Sequence, residues 1–129
     1  YAAIEKPDST NALLSKAILK KVAARMLSAS TSVLTWDELI WVCRKIFPVE
    51  EANSVGNSLL AFANLQIKDF TAAVASQAGE LFVKYKLKPH DAIHAATAIL
   101  NGEREIITDD ADFDKVKELK RISLAEASR

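Results

Sequence analysis

Cysteine is nearly absent from this 129-residue chain: Cys43 stands alone, so no internal disulfide can form. One cysteine and two histidines also exclude a Cys/His zinc finger. Glycine is scarce, and its three copies are scattered. There is accordingly no glycine-rich phosphate loop and no G-x-S-x-G elbow. Net charge is absent too, with 17 Lys+Arg against 17 Asp+Glu. Bulk charge therefore does not mark an avid polyanion binder, and any nucleic-acid contact must come from local placement of Lys and Arg. Long apolar runs are missing, because charge interrupts them every few positions, so no membrane span is expected. No signal peptide is expected, and the expected compartment is the cytoplasm.

What is present is a globular balance, half apolar and 26% charged. A chain of this length can bury roughly two-thirds of its unfolded surface without a disulfide or structural metal. One domain over residues 1–129 is expected. Asp8 or Ser9 can cap a helix running to about Leu27, with Leu14, Ala17, Ile18, Val22 and Met26 as its apolar stripe. Lys16, Lys20, Lys21 and Arg25 occupy its other side, either as a solvated face or as a phosphate-contacting stripe. Ser32 to Thr35 reads as a strand and Trp36 to Phe47 as a helix stopped by Pro48. Cys43 falls in that helix's apolar arc and reads as a packing residue, whereas Trp41 falls outside the arc.

Further helices are expected over Glu50–Phe62, after Asp69 with Val74, Ala78, Leu81, Phe82 and Tyr85 as the stripe, and over His90–Leu100. Asn101-Gly102 terminates the last of these. Leu65–Ile67, Glu105–Thr108 and a segment around Arg121-Ile122 read as strands, and a short helix runs to Leu119. Strands alternating with helices indicate an α/β fold with a parallel sheet. The first element is a helix with no strand before it, so a front strand is missing from the pattern.

The chemistry-bearing residues are carboxylates at element ends. Glu38 follows a strand, Asp91 opens a helix after Pro89, and Asp109, Asp110 and Asp112 follow the strand ending at Thr108. Residues after parallel strands converge in the crevice at their carboxyl ends. Acids gathered there repel one another unless a divalent cation joins them, and oxygen-only ligands favour Mg²⁺ or Mn²⁺. Each acid also has a structural explanation. Thr35-x-x-Glu38 is a capping-box pattern, Asp91 suits a helix N-terminus, Asp112 can cap the helix after it, and Asp109 can belong to the turn. His90 and His94 lie four apart but lack a third ligand.

Three segments together resemble one family. Thr35-Trp36-Asp37-Glu38-Leu39, Pro89-His90-Asp91-Ala92-Ile93-His94-Ala95-Ala96 and Ile107-Thr108-Asp109-Asp110-Ala111-Asp112-Phe113 look like a PIN-domain nuclease, most of all the VapC-type toxins and their archaeal relatives. The resemblance implies a three-layer, Rossmann-like parallel sheet flanked by helices. It assigns Glu38 as the second acid, Asp91 as the third and Asp110 as the fourth, with Asp112 accessory and Thr108 orienting. The family's first acid sits in an Asp-x-Asn segment ending the first strand, often followed by a Tyr-Ala pair. This chain begins Tyr1-Ala2, so the resemblance implies that it starts just after that strand.

The resulting expectation is an Mg²⁺- or Mn²⁺-dependent endoribonuclease, the toxin of a VapBC-type pair. Glu38, Asp91, Asp110 and Asp112 would hold metal. Lys16, Lys20, Lys21, Arg25, Lys115 and Lys117 would contact RNA phosphates. A homodimer and a VapB-like antitoxin are the expected protein partners. The alternative is a catalytically incomplete PIN-like protein that acts by protein contact. An Asp-x-Asn segment upstream in the gene separates the two. Trp41, with the apolar run Leu59, Leu60 and Phe62, marks the expected self-association surface.

Overall fold

The computed structural model describes residues 5–129. The Tyr1-Ala2 pair that enters the family resemblance lies outside the described residues. The chain forms two compact units, one ending at Ile67 and the other running from Lys68 to Ala127. Strands are interspersed with helices and helix pairs and join two by two into separate two-stranded sheets among the described residues, an α/β arrangement.

In the first unit, helix α1 spans Thr10–Ala23. Ser9 is its cap, and its hydroxyl accepts the Ala12 N–H at 3.1 Å. The helix ends short of the expected Leu27 because Arg25 turns into the left-handed region at φ +60°. Asn64 fastens that end: its amide donates to the Ala23 carbonyl at 2.7 Å and its oxygen accepts from Arg25 Nε at 3.1 Å. Helix-end carbonyls need such donors. Met26 therefore leaves the stripe and is exposed.

Strand β1 is Ala29–Ser32, earlier than the expected Ser32–Thr35. The Ser32 hydroxyl accepts the Leu34 N–H at 3.1 Å, and helix α2, Leu34–Arg44, begins there. Thr35 thus lies inside the first turn, where its hydroxyl meets that of Thr31 at 2.7 Å. The expected Thr35-x-x-Glu38 capping box is not formed, because Val33 holds the cap position without a side-chain bond. Cys43 is fully buried, and burial pushes its thiol pKa up, as suits an inert packing residue.

Helix α3, Val49–Leu60, follows Pro48 and packs on α2 through Gly56. A Cβ at position 56 would lie 2.6 Å from Trp36 Nε1 and 2.9 Å from Ile40 Cδ1. Gly56→Ala gains about 1 kcal/mol of helix propensity but overpacks this contact at about 1–3 kcal/mol. Because the stiff indole is the nearer neighbour, the clash outweighs the gain. Urea denaturation should show net destabilisation of up to about 2 kcal/mol; a stabilised variant would mean the helices do not meet here. Strand β2, Leu65–Lys68, pairs with β1.

In the second unit, helix α4 spans Ala72–Tyr85, capped by Thr71, whose hydroxyl accepts the Val74 N–H at 3.2 Å. It ends at Lys86 in the left-handed region. Helix α5 is Pro89–Leu100, with proline at its first position, where the missing N–H costs nothing. Val74, Ala78 and Leu81 of α4 pack against Ala92, Ala95 and Ala96 of α5, with Leu87, Phe113, Val116 and Leu119 completing the core. Phe82, expected on the inner stripe, is instead half exposed. Strand β3, Glu105–Ile107, pairs in parallel with β4, Lys120–Ile122, placing Ile106 opposite Arg121. Between them the expected short helix to Leu119 is a single 3₁₀ turn, Ala111–Lys115. Helix α6, Leu124–Ser128, closes the chain. Among the described residues, no helix is long and apolar enough to cross a membrane.

Candidate metal centre

The β3–β4 ladder sets the position of the acidic turn. Thr108 lies just beyond β3, and its N–H extends the ladder by donating to the Ile122 carbonyl at 2.9 Å. Its hydroxyl then accepts the Asp110 N–H at 3.1 Å. Asp110 Oδ1 in turn accepts the Asp112 N–H at 2.9 Å, which makes Asp110, rather than the expected Asp112, the cap of the 3₁₀ turn. A carboxylate has about four acceptor sites, so one capping bond does not exhaust it. Phe113 enters the core at 4% exposure and fixes the turn from beneath.

Asp91 reaches the same place from α5, where it is the third residue of the helix. One carboxylate oxygen from each of Asp91, Asp110 and Asp112 lies within 4.8 Å of the other two. Three carboxylates this close could hold a divalent cation, whose charge would offset their mutual repulsion. The all-oxygen donor set matches Mg²⁺ or Mn²⁺ in type. Among the described residues, no histidine joins this group.

The other acids of the turn are committed elsewhere. Asp109 Oδ1 accepts the Leu124 N–H at 2.9 Å and so holds the start of α6. Asp114 takes a two-pronged grip from Arg121, Nε to Oδ1 at 2.8 Å and Nη2 to Oδ2 at 3.2 Å. That hydrogen-bonded guanidinium holds the Asp114 carboxyl below its usual pKa. Asp112 also meets Lys115 Nζ at 3.3 Å, an exposed pair of the kind that contributes little.

Glu38 is carried by α2 of the first unit and is half-buried. Lys16 and Lys20 are exposed on α1 and Lys21 is half-buried there, while Arg25 lies past the helix end against Asn64. Lys115 is engaged with Asp112. Lys117 is exposed, and its backbone N–H donates to the Tyr85 hydroxyl at 3.4 Å.

A family model for the PIN domain matches residues 6–119. The chain belongs to the PIN-domain family. Solved structures resemble this PIN domain. A toxin-antitoxin complex from Klebsiella pneumoniae contains a chain 27% identical to it, with 69% of each chain covered and a TM-score of 0.54. A VapBC2 structure from Rickettsia felis, bound to a DNA fragment from the promoter, shares the fold. There the identity is 21%, the coverage 95% of this chain and 90% of that one, and the TM-score 0.68. No curated protein sequence matches significantly.

Two features of this PIN domain go beyond the sequence-based expectations. Arg121 looks like an ordinary strand residue, and no local pattern marks its grip on Asp114. Helix α6 did leave a signal, since Ser123-Leu124-Ala125-Glu126 is a capping-box pattern. Both of its reciprocal bonds are formed, at 3.1 Å and 2.9 Å.

Proposed function

We propose that this PIN domain, taken as one domain over residues 1–129, is a divalent-metal-dependent endoribonuclease and the toxin of a VapBC-type pair in the cytoplasm. The observation that carries the nuclease reading is the meeting of Asp91, Asp110 and Asp112 oxygens within 4.8 Å. These residues would hold Mg²⁺ or Mn²⁺, and Glu38 keeps the metal-binding role that the family resemblance gives it. When bound, the cation activates water for attack and offsets charge on the phosphate and leaving oxygen. Such a site needs neither a histidine base nor a protein nucleophile. The Thr108 hydroxyl orients Asp110 by holding its backbone N–H, and Asp110 orients Asp112 in the same way. Lys16, Lys20, Lys21, Arg25, Lys115 and Lys117 supply phosphate contacts.

The toxin assignment rests on likeness to the Klebsiella chain, which was solved in a toxin-antitoxin complex. A VapB-like antitoxin is the corresponding partner. RNA cleavage by the purified protein should stop with EDTA and return with Mg²⁺ or Mn²⁺. Cleavage indifferent to EDTA would refute the metal-dependent reading.

Self-association belongs to the same proposal. Trp41 on α2 is 69% exposed and Leu60 on α3 is 48% exposed, and large apolar side chains left open in this way favour an interface. Aromatic anchors dominate such interfaces. The protein should sediment as a two-fold dimer at micromolar concentration, and Trp41→Ala should shift it toward monomer. A monomeric wild type would discard the dimer, and an unaffected variant would place its interface elsewhere.

A further inference from the structure

The acidic turn is pinned from outside at several points, and most of them lead back to one segment. Arg121 on β4 holds Asp114 through its two-pronged grip at the far end of the turn. The same guanidinium reaches the near end, where Nη1 donates to the Thr108 carbonyl at 3.4 Å. Between those ends the turn is linked internally, Thr108 to Asp110 and Asp110 to Asp112. Arg121, Thr108, Asp110, Asp112 and Asp114 thus form a closed loop of chain and hydrogen bonds. Leu124, three positions further along the chain, holds Asp109 as well.

We propose that Arg121 is a positioning residue of the carboxylate centre: by gripping Thr108 and Asp114 together, it closes the turn so that Asp110 and Asp112 stay beside Asp91. This rests on the metal-centre reading above and adds to it a residue that supplies no ligand atom. The chemistry of arginine suits the task. Its planar fork satisfies a carboxylate with two parallel bonds and has donors left for a carbonyl. Lysine is a single point charge and cannot span both partners in the same way.

The sign of the expected effect separates positioning from plain electrostatics. A positive charge near a cation site repels the cation. By charge alone, Arg121→Gln would tighten metal binding. By positioning, it loosens the turn and weakens binding. Partners that orient ligands typically account for 10–100-fold in affinity. Because Arg121 acts through the turn rather than on a ligand directly, a loss of about tenfold, the low end of that range, is expected.

Calorimetric titration of Mn²⁺ into the metal-free protein tests this without reference to cleavage. Wild type, Asp110→Asn, Arg121→Gln and Arg121→Lys are compared well below their unfolding temperatures, with circular dichroism to confirm folding. Both Arg121 variants should bind about tenfold more weakly than wild type. A role confined to global stability would lower the unfolding temperature but leave the affinity of the folded protein unchanged. Equal or tighter binding by Arg121→Gln, or an unchanged Arg121→Lys, overturns the positioning role while leaving the metal centre intact. Arg121→Lys keeps the charge and decides alone if Arg121→Gln does not fold. A wild type with no Mn²⁺ binding sensitive to Asp110→Asn overturns the metal centre and the positioning role together.

Discussion

Asp91→Asn should remove RNA cleavage while leaving the protein folded. A neutral amide is a weaker ligand than a carboxylate and takes one charge from the centre formed with Asp110 and Asp112. Even outer-shell changes around a metal site cost 10–100-fold, so loss of a direct ligand should exceed about 100-fold in Mn²⁺ affinity and in cleavage rate. The structural cost is small by comparison. Asp91 lies in the first turn of α5, where a negative charge favours the helix by about 0.3–1 kcal/mol. Relief of repulsion with Asp110 and Asp112 offsets part of that. A cleavage assay on the purified variant, with circular dichroism alongside, checks the expectation. Cleavage that persists at wild-type rate would place the catalytic groups elsewhere.

The largest effect on stability should come from Phe113→Ala. Phe113 sits between Asp112 and Asp114 in the chain, yet is 4% exposed in the core with Leu81, Ala95 and Val116. It joins the acidic turn to the helix pair that carries Asp91. Removing a buried phenylalanine costs about 3–5 kcal/mol. That is a large part of the roughly 5–15 kcal/mol that holds a typical domain folded. Metal affinity should fall with it, because Asp110 and Asp112 lose the anchor beneath them. Phe82→Ala is the control, since Phe82 is 48% exposed and leaves little cavity. Urea denaturation should show a large loss for Phe113→Ala and a small one for Phe82→Ala. Equal losses would mean that the turn is not anchored in the core.

Elements set by short-range interactions are legible in this sequence, and those set by distant partners are not. Ser9, Pro89 and Asn101-Gly102 act on their immediate neighbours, and the helix boundaries beside them were legible. Strand β1 lies earlier than its sequence signal because Ala29-Ser30-Thr31-Ser32 is small and polar, while the apolar β-branched residue comes one step later at Val33. A bond from the Leu34 N–H to Ser32 moves that later segment into α2. The end of α1 depended on Asn64, distant in sequence, and nothing near Leu27 announces it.

Capping boxes show that a local pattern still depends on its setting. Thr35-x-x-Glu38 has the right residues but falls inside a helix, where the threonine no longer occupies the cap. Ser123-x-x-Glu126 has the same form and does cap its helix. At the carboxylate centre, Asp110 and Asp112 follow a parallel strand and Asp91 follows the Pro89 that opens its helix, so the place of each in its element was legible, and the fold brings their oxygens together. The division of labour among the neighbouring acids was not legible. Asp109 and Asp114 are chemically the same as Asp110 and Asp112, and only the Leu124 N–H and the Arg121 guanidinium draw them away. Both of those partners come from the segment beyond the turn, so spacing within it gave no sign of them.

Diffraction from crystals soaked in Mn²⁺, recorded to use the anomalous scattering of the metal, shows directly whether Asp91, Asp110 and Asp112 hold a cation. An anomalous peak bonded to the carboxylates of Asp91 and Asp110 is expected, at roughly the 2.0–2.6 Å of hard-cation–oxygen bonds, with Asp112 beside it. Well-ordered carboxylates at these positions with no Mn²⁺ between them, or a Mn²⁺ peak held by other residues, would contradict it.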